Sequence, residues 1–212
     1  SPWTGYFNFA FSTGSASMPV PNEGLGMALG GYLNENLYLI AGFADSNSDP
    51  AQPGDGFDTF FNDREYFKHV EMGWNSTRET AFLNNVHLTL WHADERVEAA
   101  TPDGWGANVS FSRSVNEHWI PFIRAGYAKD GGSLLEKSLS AGFAYQTVSG
   151  GNQLGVAYNW GEPNESSWGS GLENQHTLEA FYRIQLWKEF AVTPDIQYIR
   201  NPALNPEDDS LW

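Results

Sequence analysis

Along much of the chain, apolar and polar residues alternate with a period of two, the mark of β-strands with two different faces. The clearest run is 175–187. His176, Leu178, Ala180, Tyr182, Ile184 and Leu186 fall on one face, and Gln175, Thr177, Glu179, Phe181, Arg183, Gln185 and Trp187 on the other. Elsewhere Ala107, Val109 and Phe111 oppose Asn108, Ser110 and Ser112, and Val86, Leu88 and Leu90 oppose Asn85, His87, Thr89 and Trp91. Leu154, Val156, Tyr158 and Trp160 oppose Gln153, Gly155, Ala157 and Asn159, while Leu139, Ala141, Phe143 and Tyr145 oppose Glu136, Ser138, Ser140 and Gln146. No segment reads as an amphipathic helix of normal length. The pattern predicts about eleven strands, at 3–12, 25–33, 37–46, 66–75, 84–93, 105–115, 119–129, 134–147, 153–161, 175–187 and 191–200.

The connections between these strands alternate in character. One set is mostly tight: Asn34–Asn36, Asn116–His118, Ser149–Asn152, Lys188–Glu189 and the longer 76–83. The other is mostly long and rich in Gly, Pro and acidic residues: 13–24, 47–65, 94–104, 162–174 and 201–210, with only Asp130–Ser133 breaking the rule. Short turns at one end and long loops at the other characterise outer-membrane barrels, whereas a soluble sandwich has no reason to sort its loops. Aromatics gather near strand ends, at Trp3, Tyr66, Trp74, Trp105, Trp119, Tyr127, Trp160 and Trp187, where amphipathic rings suit a lipid–water interface. Core filling is the plainer explanation of any one of them. Together the signals predict an all-β fold, an antiparallel transmembrane β-barrel forming a single domain over 1–212. An odd strand count cannot close such a barrel, so the domain is expected to lack its last strand, begun at Leu211–Trp212, and strands at the start.

Composition narrows the function. Charged residues make up 17% of the 212 and mean hydropathy is −0.44. No apolar run is long enough for a transmembrane helix, but barrel strands escape hydropathy averages. A net charge of −15 opposes binding to nucleic acid. Cysteine is absent, which removes disulfides and thiolate metal sites. The chain opens Ser-Pro-Trp without a basic or apolar leader.

The segment Leu178–Leu186, followed by Val192–Tyr198 and Asn201–Pro206, resembles the C-terminal part of the carbohydrate-selective porins, the OprB family. Fainter echoes are Gly56-Phe57 with Phe60-Phe61, Glu71–Trp74, Trp91 with Asp94, Pro121–Gly126 and Leu154–Trp160. The resemblance implies a sixteen-stranded outer-membrane barrel, usually trimeric, contacting lipid and lipopolysaccharide. It implies passive passage of small sugars such as glucose, without cofactor. The family's first strands and final strand have no counterpart here, so their pore residues cannot be carried over.

A sugar pore needs donors and acceptors matched to hydroxyls and flat apolar faces for rings. The polar faces supply His69, Glu71, His87, Arg124, Glu136, Glu179, Arg183, Gln185, Asp195 and Gln197, with Trp91 and Phe181 as stacking surfaces. Each of these also reads as plain solvated wall, and Glu179 and Arg183 as a charge pair that stiffens it. Loop 47–65, with Phe57, Phe60 and Phe61, either folds inward to narrow the pore or packs on the rim or a neighbouring copy. The rival class is a soluble β-sheet domain that binds sugars or hydrolyses glycosides. Its best catalytic pair, Glu179 and Asp195, has no fixed separation. His87 and His92 lie on opposite strand faces, and Asp49, Asp55, Asp58 and Asp63 lack calcium-loop spacing, so no metal is expected.

Overall fold

The computed structural model describes residues 6–12, 16–21, 24–49, 51–52, 54–116, 118–147 and 151–212. Among these, twelve strands form one antiparallel sheet. They are β1 (Gly26–Tyr32), β2 (Leu37–Asp45), β3 (Tyr66–Asn75), β4 (Asn85–Ala93), β5 (Gly104–Ser112), β6 (Trp119–Asp130), β7 (Leu135–Gln146), β8 (Gln153–Pro163), β9 (Gln175–Trp187), β10 (Phe190–Val192), β11 (Asp195–Arg200) and β12 (Ser210–Leu211). Each strand pairs with the next in sequence, with β10 and β11 both paired to β9. This meander puts the connections 46–65, 94–103, 131–134, 164–174 and 201–209 at one end. The connections 33–36, 76–84, 113–118, 147–152 and 188–189 lie at the other. Loops 94–103 and 164–174, separated by an even number of strands, share the loop end as the sequence predicts.

Register sorts the side chains as the alternation requires. Leu39 pairs with Met72, Val70 with Leu90, Leu88 with Val109, Phe111 with Ile123, Ala125 with Leu139, and Tyr158 with Leu178. These residues form an outward belt of exposed apolar side chains: Met72, Leu90, Val109, Ile123, Leu139 and Leu178 are 44–53% exposed. Soluble surfaces rarely keep so broad an apolar band in contact with water. Trp74 and Trp119 flank the belt at the turn end, and Trp105, packed on Tyr127 at 5.6 Å, flanks it at the loop end. Beyond the aromatics, on the same face, stand the ion pairs Lys68–Asp94 and Lys137–Glu162. Trp3 lies outside the described residues.

The inner face is made close-fitting by glycines. A side chain at Gly106 would run into the Trp91 ring, and one at Gly155 into Phe181. Rings therefore lie across the neighbouring strand. At the loop end the short β6–β7 link turns through Asp130, Gly131 and Gly132, all with positive φ, where two glycines avoid a Cβ penalty.

Two predicted strands differ from the sequence reading. Residues 191–200 are divided at Thr193–Pro194, because proline offers no N–H to the ladder. The register nonetheless continues, from Val192 opposite Ile184 to Asp195 opposite Phe181. The stretch 3–12 is not a strand. Its described part, 6–12, ends in a short helix, α1 (Phe9–Ser12), set against the inner face of the sheet.

Candidate functional site

The inner face carries a wall of polar side chains: Asn75, Asn85, Thr89, Asn108, Ser110, Ser112, Arg124, Ser138, Ser140, Asn159, Thr177 and Glu179 are all buried. Asn159 ties strands together, donating from Nδ2 to Ser138 Oγ at 2.8 Å and Ser140 Oγ at 2.9 Å. What covers this wall is the segment before β1. Its described residues 6–12 and 16–17 lie on the inner face, between β11 and β5. Asn8 Nδ2 donates to Gln197 Oε1 at 3.1 Å, and Ser17 Oγ donates to Asn108 Oδ1 at 3.2 Å.

The clamp at the centre of this segment is electrostatic. Glu179 accepts the backbone N–H groups of Phe7 at 2.6 Å and Asn8 at 2.9 Å, just before α1. Arg124 donates to the carbonyl oxygen of Phe11, and Ser140 Oγ donates to that of Ala10 at 3.0 Å. A carboxylate thus meets the donor end of the turn and a guanidinium meets its acceptor end, the favourable sense for both. Tyr6 completes the seat. Its ring lies 4.8 Å from Phe181 and 5.7 Å from Phe122, and its hydroxyl donates to the Phe143 carbonyl at 2.7 Å. Burial, with Glu179 adding to it, pushes the Tyr6 phenol above its usual range. It remains a neutral donor at physiological pH.

The sequence-predicted residues are distributed unevenly. Arg124, Glu179, Asp195 and Gln197 meet on the inner face beneath the segment, Gln197 Nε2 donating to Asp195 Oδ1 at 3.1 Å. Arg183 and Gln185 lie on the same face toward the turn end. Gln185 is tied to the 188–190 turn through the carbonyls of Lys188 and Phe190. Arg183 is exposed and has no ion pair among the described residues, so the Glu179–Arg183 pairing does not form. His69, Glu71 and His87 are inward on β3 and β4, His69 stacked on Phe67 at 6.0 Å between ring centroids. Glu136 is a correction. A bulge between Leu135 and Lys137 displaces it from the inner face, leaving it 3.9 Å from Lys137 Nζ on the outward rim. Trp91 and Phe181 are also corrected as stacking surfaces. Both are inward but buried, Phe181 beneath Tyr6 and Trp91 in a cluster with Phe67, Ala93, Ala128 and Met18.

Loop 46–65 resolves its two alternatives in favour of the rim. Residues 55–63 are helical, and Phe60 stacks on outward-facing Phe43 at 5.8 Å and meets Tyr66 at 5.3 Å. Phe57 and Phe61 remain 60% exposed. The inner segment is the feature that sequence reasoning missed. Its one available signal was that Phe7, Phe9 and Phe11 oppose Tyr6, Asn8 and Ala10, leaving neither face with the polar series of a wall strand.

A sheet whose apolar face is outward and whose polar face holds a folded-in segment has the design of a channel wall. A profile of the carbohydrate-selective porins, OprB family, matches residues 83–211. The chain belongs to that family. The fold agrees: the high-pH structure of Pseudomonas putida OprB superposes with a TM-score of 0.64 at 12% identity, covering 87% of this chain and 56% of that one. This chain therefore spans a little over half the length of that solved porin. No curated protein matches it. In this OprB-family chain Glu179 serves as an anchor for backbone N–H groups.

Proposed function

We propose that the chain forms much of a single outer-membrane β-barrel domain through which small neutral sugars, glucose among them, diffuse passively. The observation that carries this reading is the opposition of faces. One continuous apolar belt runs over the sheet, and behind it lies a wall of amide, hydroxyl and charged groups. The outer belt meets lipid in the bacterial outer membrane, and the polar rim beyond it meets headgroups and lipopolysaccharide. Inside, hydroxyl-rich solutes exchange water hydrogen bonds for wall contacts at small net gain, about 1 kcal/mol each, which suits flux better than tight binding. The inner segment narrows the passage, because residues 6–12 occupy space that open wall would leave to water.

The test is swelling of liposomes carrying the full-length protein. Neutral monosaccharides are expected to enter faster than disaccharides and much faster than in protein-free vesicles. Equal rates with and without protein would remove the channel reading. Recovery of the protein in aqueous extracts without detergent would favour the soluble sugar-binding domain instead.

A further inference from the structure

On the outer face, the loop end of the belt carries a continuous row of cross-strand neighbours. Phe43 of β2 pairs with Lys68 of β3, Lys68 with His92 of β4, His92 with Trp105 of β5, and Trp105 with Lys129 of β6. Residues directly opposite on one face of a sheet are within contact range, so the row is one surface. Its charges run against the composition. The chain carries a net −15, yet three of its four lysines, Lys68, Lys129 and Lys137, stand outward at this end. The matching row at the turn end, Leu37, Trp74, Val86 and Phe111, bears no charge. The two edges of the belt therefore suit different leaflets, and the long loops mark the lysine-bearing edge as the external one.

The row is arranged to hold two anions with a flat body between them. Asp94 fixes Lys68, its carboxylate oxygens 2.6 and 2.7 Å from Nζ, and lies 3.4 Å from His92 Nδ1. An ammonium group has three donors, so one carboxylate does not exhaust it, and Lys68 remains half exposed. Lys129 is exposed and has no ion pair among the described residues. Glu136 and Glu162, which line the same hollow as Lys129, are both drawn to Lys137, at 3.9 and 3.0 Å. Lys68 and Lys129 are three strands apart, about 14 Å at ordinary strand spacing. Between them Trp105, half exposed and packed on Tyr127, offers a ring face. Below Lys68 and His92 the belt dips. Ala41, in register between Leu29 and Val70, floors a shallow groove of about 810 Å³ flanked by Met27, Phe43 and Leu90. An apolar groove that ends in cations is complementary to an acyl chain joined to a phosphate.

We propose that this row seats the lipid anchor of lipopolysaccharide, an acylated disaccharide with a phosphate at each end. The phosphates meet Lys68 and Lys129, the sugars lie on Trp105, and one acyl chain fills the groove over Ala41. The seat rests on the outer-membrane reading above and turns general contact with headgroups into a site of defined residues.

The experiment titrates the full-length protein, held in non-ionic detergent, with diphosphoryl lipid A, monophosphoryl lipid A or phosphatidylglycerol, and counts bound lipid by native mass spectrometry. Diphosphoryl lipid A is expected to bind most tightly. Lys68→Gln and Lys129→Gln should each weaken it about fivefold, the usual effect of one cation at a lipid surface. One of the two variants should also lose the preference for diphosphoryl over monophosphoryl lipid A, because a lysine and the phosphate it holds are coupled. Ala41→Phe, which fills the groove and touches no charge, should weaken lipid A binding as well. Lys188→Gln, at the turn end, should leave it unchanged. Wild-type affinity in both folded lysine variants, an equal loss in Lys188→Gln, or equal binding of phosphatidylglycerol overturns the seat. Liposome swelling with the same preparations separates the two claims. Swelling with glucose but no lysine-dependent binding leaves a channel without the seat, and lysine-dependent binding without swelling keeps the seat and removes the channel.

Discussion

Glu179 and Arg124 show what the charges in the wall accomplish. Sequence alone puts them on the polar face, available to sugars. The structure assigns them to opposite ends of one helical turn, where they hold backbone rather than substrate. Glu179→Ala would leave the N–H groups of Phe7 and Asn8 unpaired, at a cost of about 1–3 kcal/mol to seating the segment. The expected result is a larger, noisier single-channel conductance with little change in the melting of the barrel. Arg183→Ala, which breaks no ion pair among the described residues, should leave conductance near wild type. At the loop-end rim, Asp94 is governed by competing effects. Burial acts to raise its pKa, but hydrogen bonds from Lys68 and the Tyr66 N–H, with Lys68 and His92 charges, outweigh it and hold the carboxyl below its usual value. Its folded value is depressed, so its contribution to stability is present above the ordinary carboxylate range and is lost as pH falls through the lower, folded value. Lys68 is half exposed, so the ion pair contributes under about 1 kcal/mol. Thermal midpoints of wild type and Asp94→Asn should differ at pH 7 and converge below about pH 4. A gap that persists in strong acid would assign the difference to packing.

At the scale of elements, ten of the predicted strands are present with their alternation, because a slip of one residue would turn every belt side chain into the polar interior. The register of β9 can be tested directly. Leu178→Arg places a charge in the belt, with an expected cost of about 2–4 kcal/mol in refolding from urea into lipid if the site lies near the midplane. A neutral result would place Leu178 away from lipid. What could not be read from sequence has physical causes. The bulge that moves Glu136 outward adds one residue to a strand, and period counting cannot see such an insertion. Trp91 and Phe181 were correctly placed on the inner face. Their burial depends on Met18 and Tyr6, which arrive from a distant stretch of chain. Residues 3–12 alternate like a strand, yet the partners that fix 6–12 are Glu179, Arg124, Ser140 and Gln197, more than a hundred positions away.

For the molecule as a whole, the sequence disclosed the architecture better than the passage. The sorting of loops, the belt and the polar wall are repeated in every strand. The seating of the inner segment is a single tertiary event with no local period. Its anchoring also sets an order of assembly. Each wall strand pairs with a near neighbour in sequence, whereas the inner segment closes loops of 172 residues to reach Glu179 and 189 to reach Gln197. Loop closure on that scale is entropically costly, and the receiving groups do not exist as a site until β9 and β11 are in register. Protection of the Phe7 and Asn8 amides in pulsed hydrogen exchange during refolding should therefore lag behind that of the β5–β8 ladder. Simultaneous protection would contradict this order. A nascent barrel would accordingly pass through a wide-bored stage and narrow only when residues 6–12 settle against the finished wall.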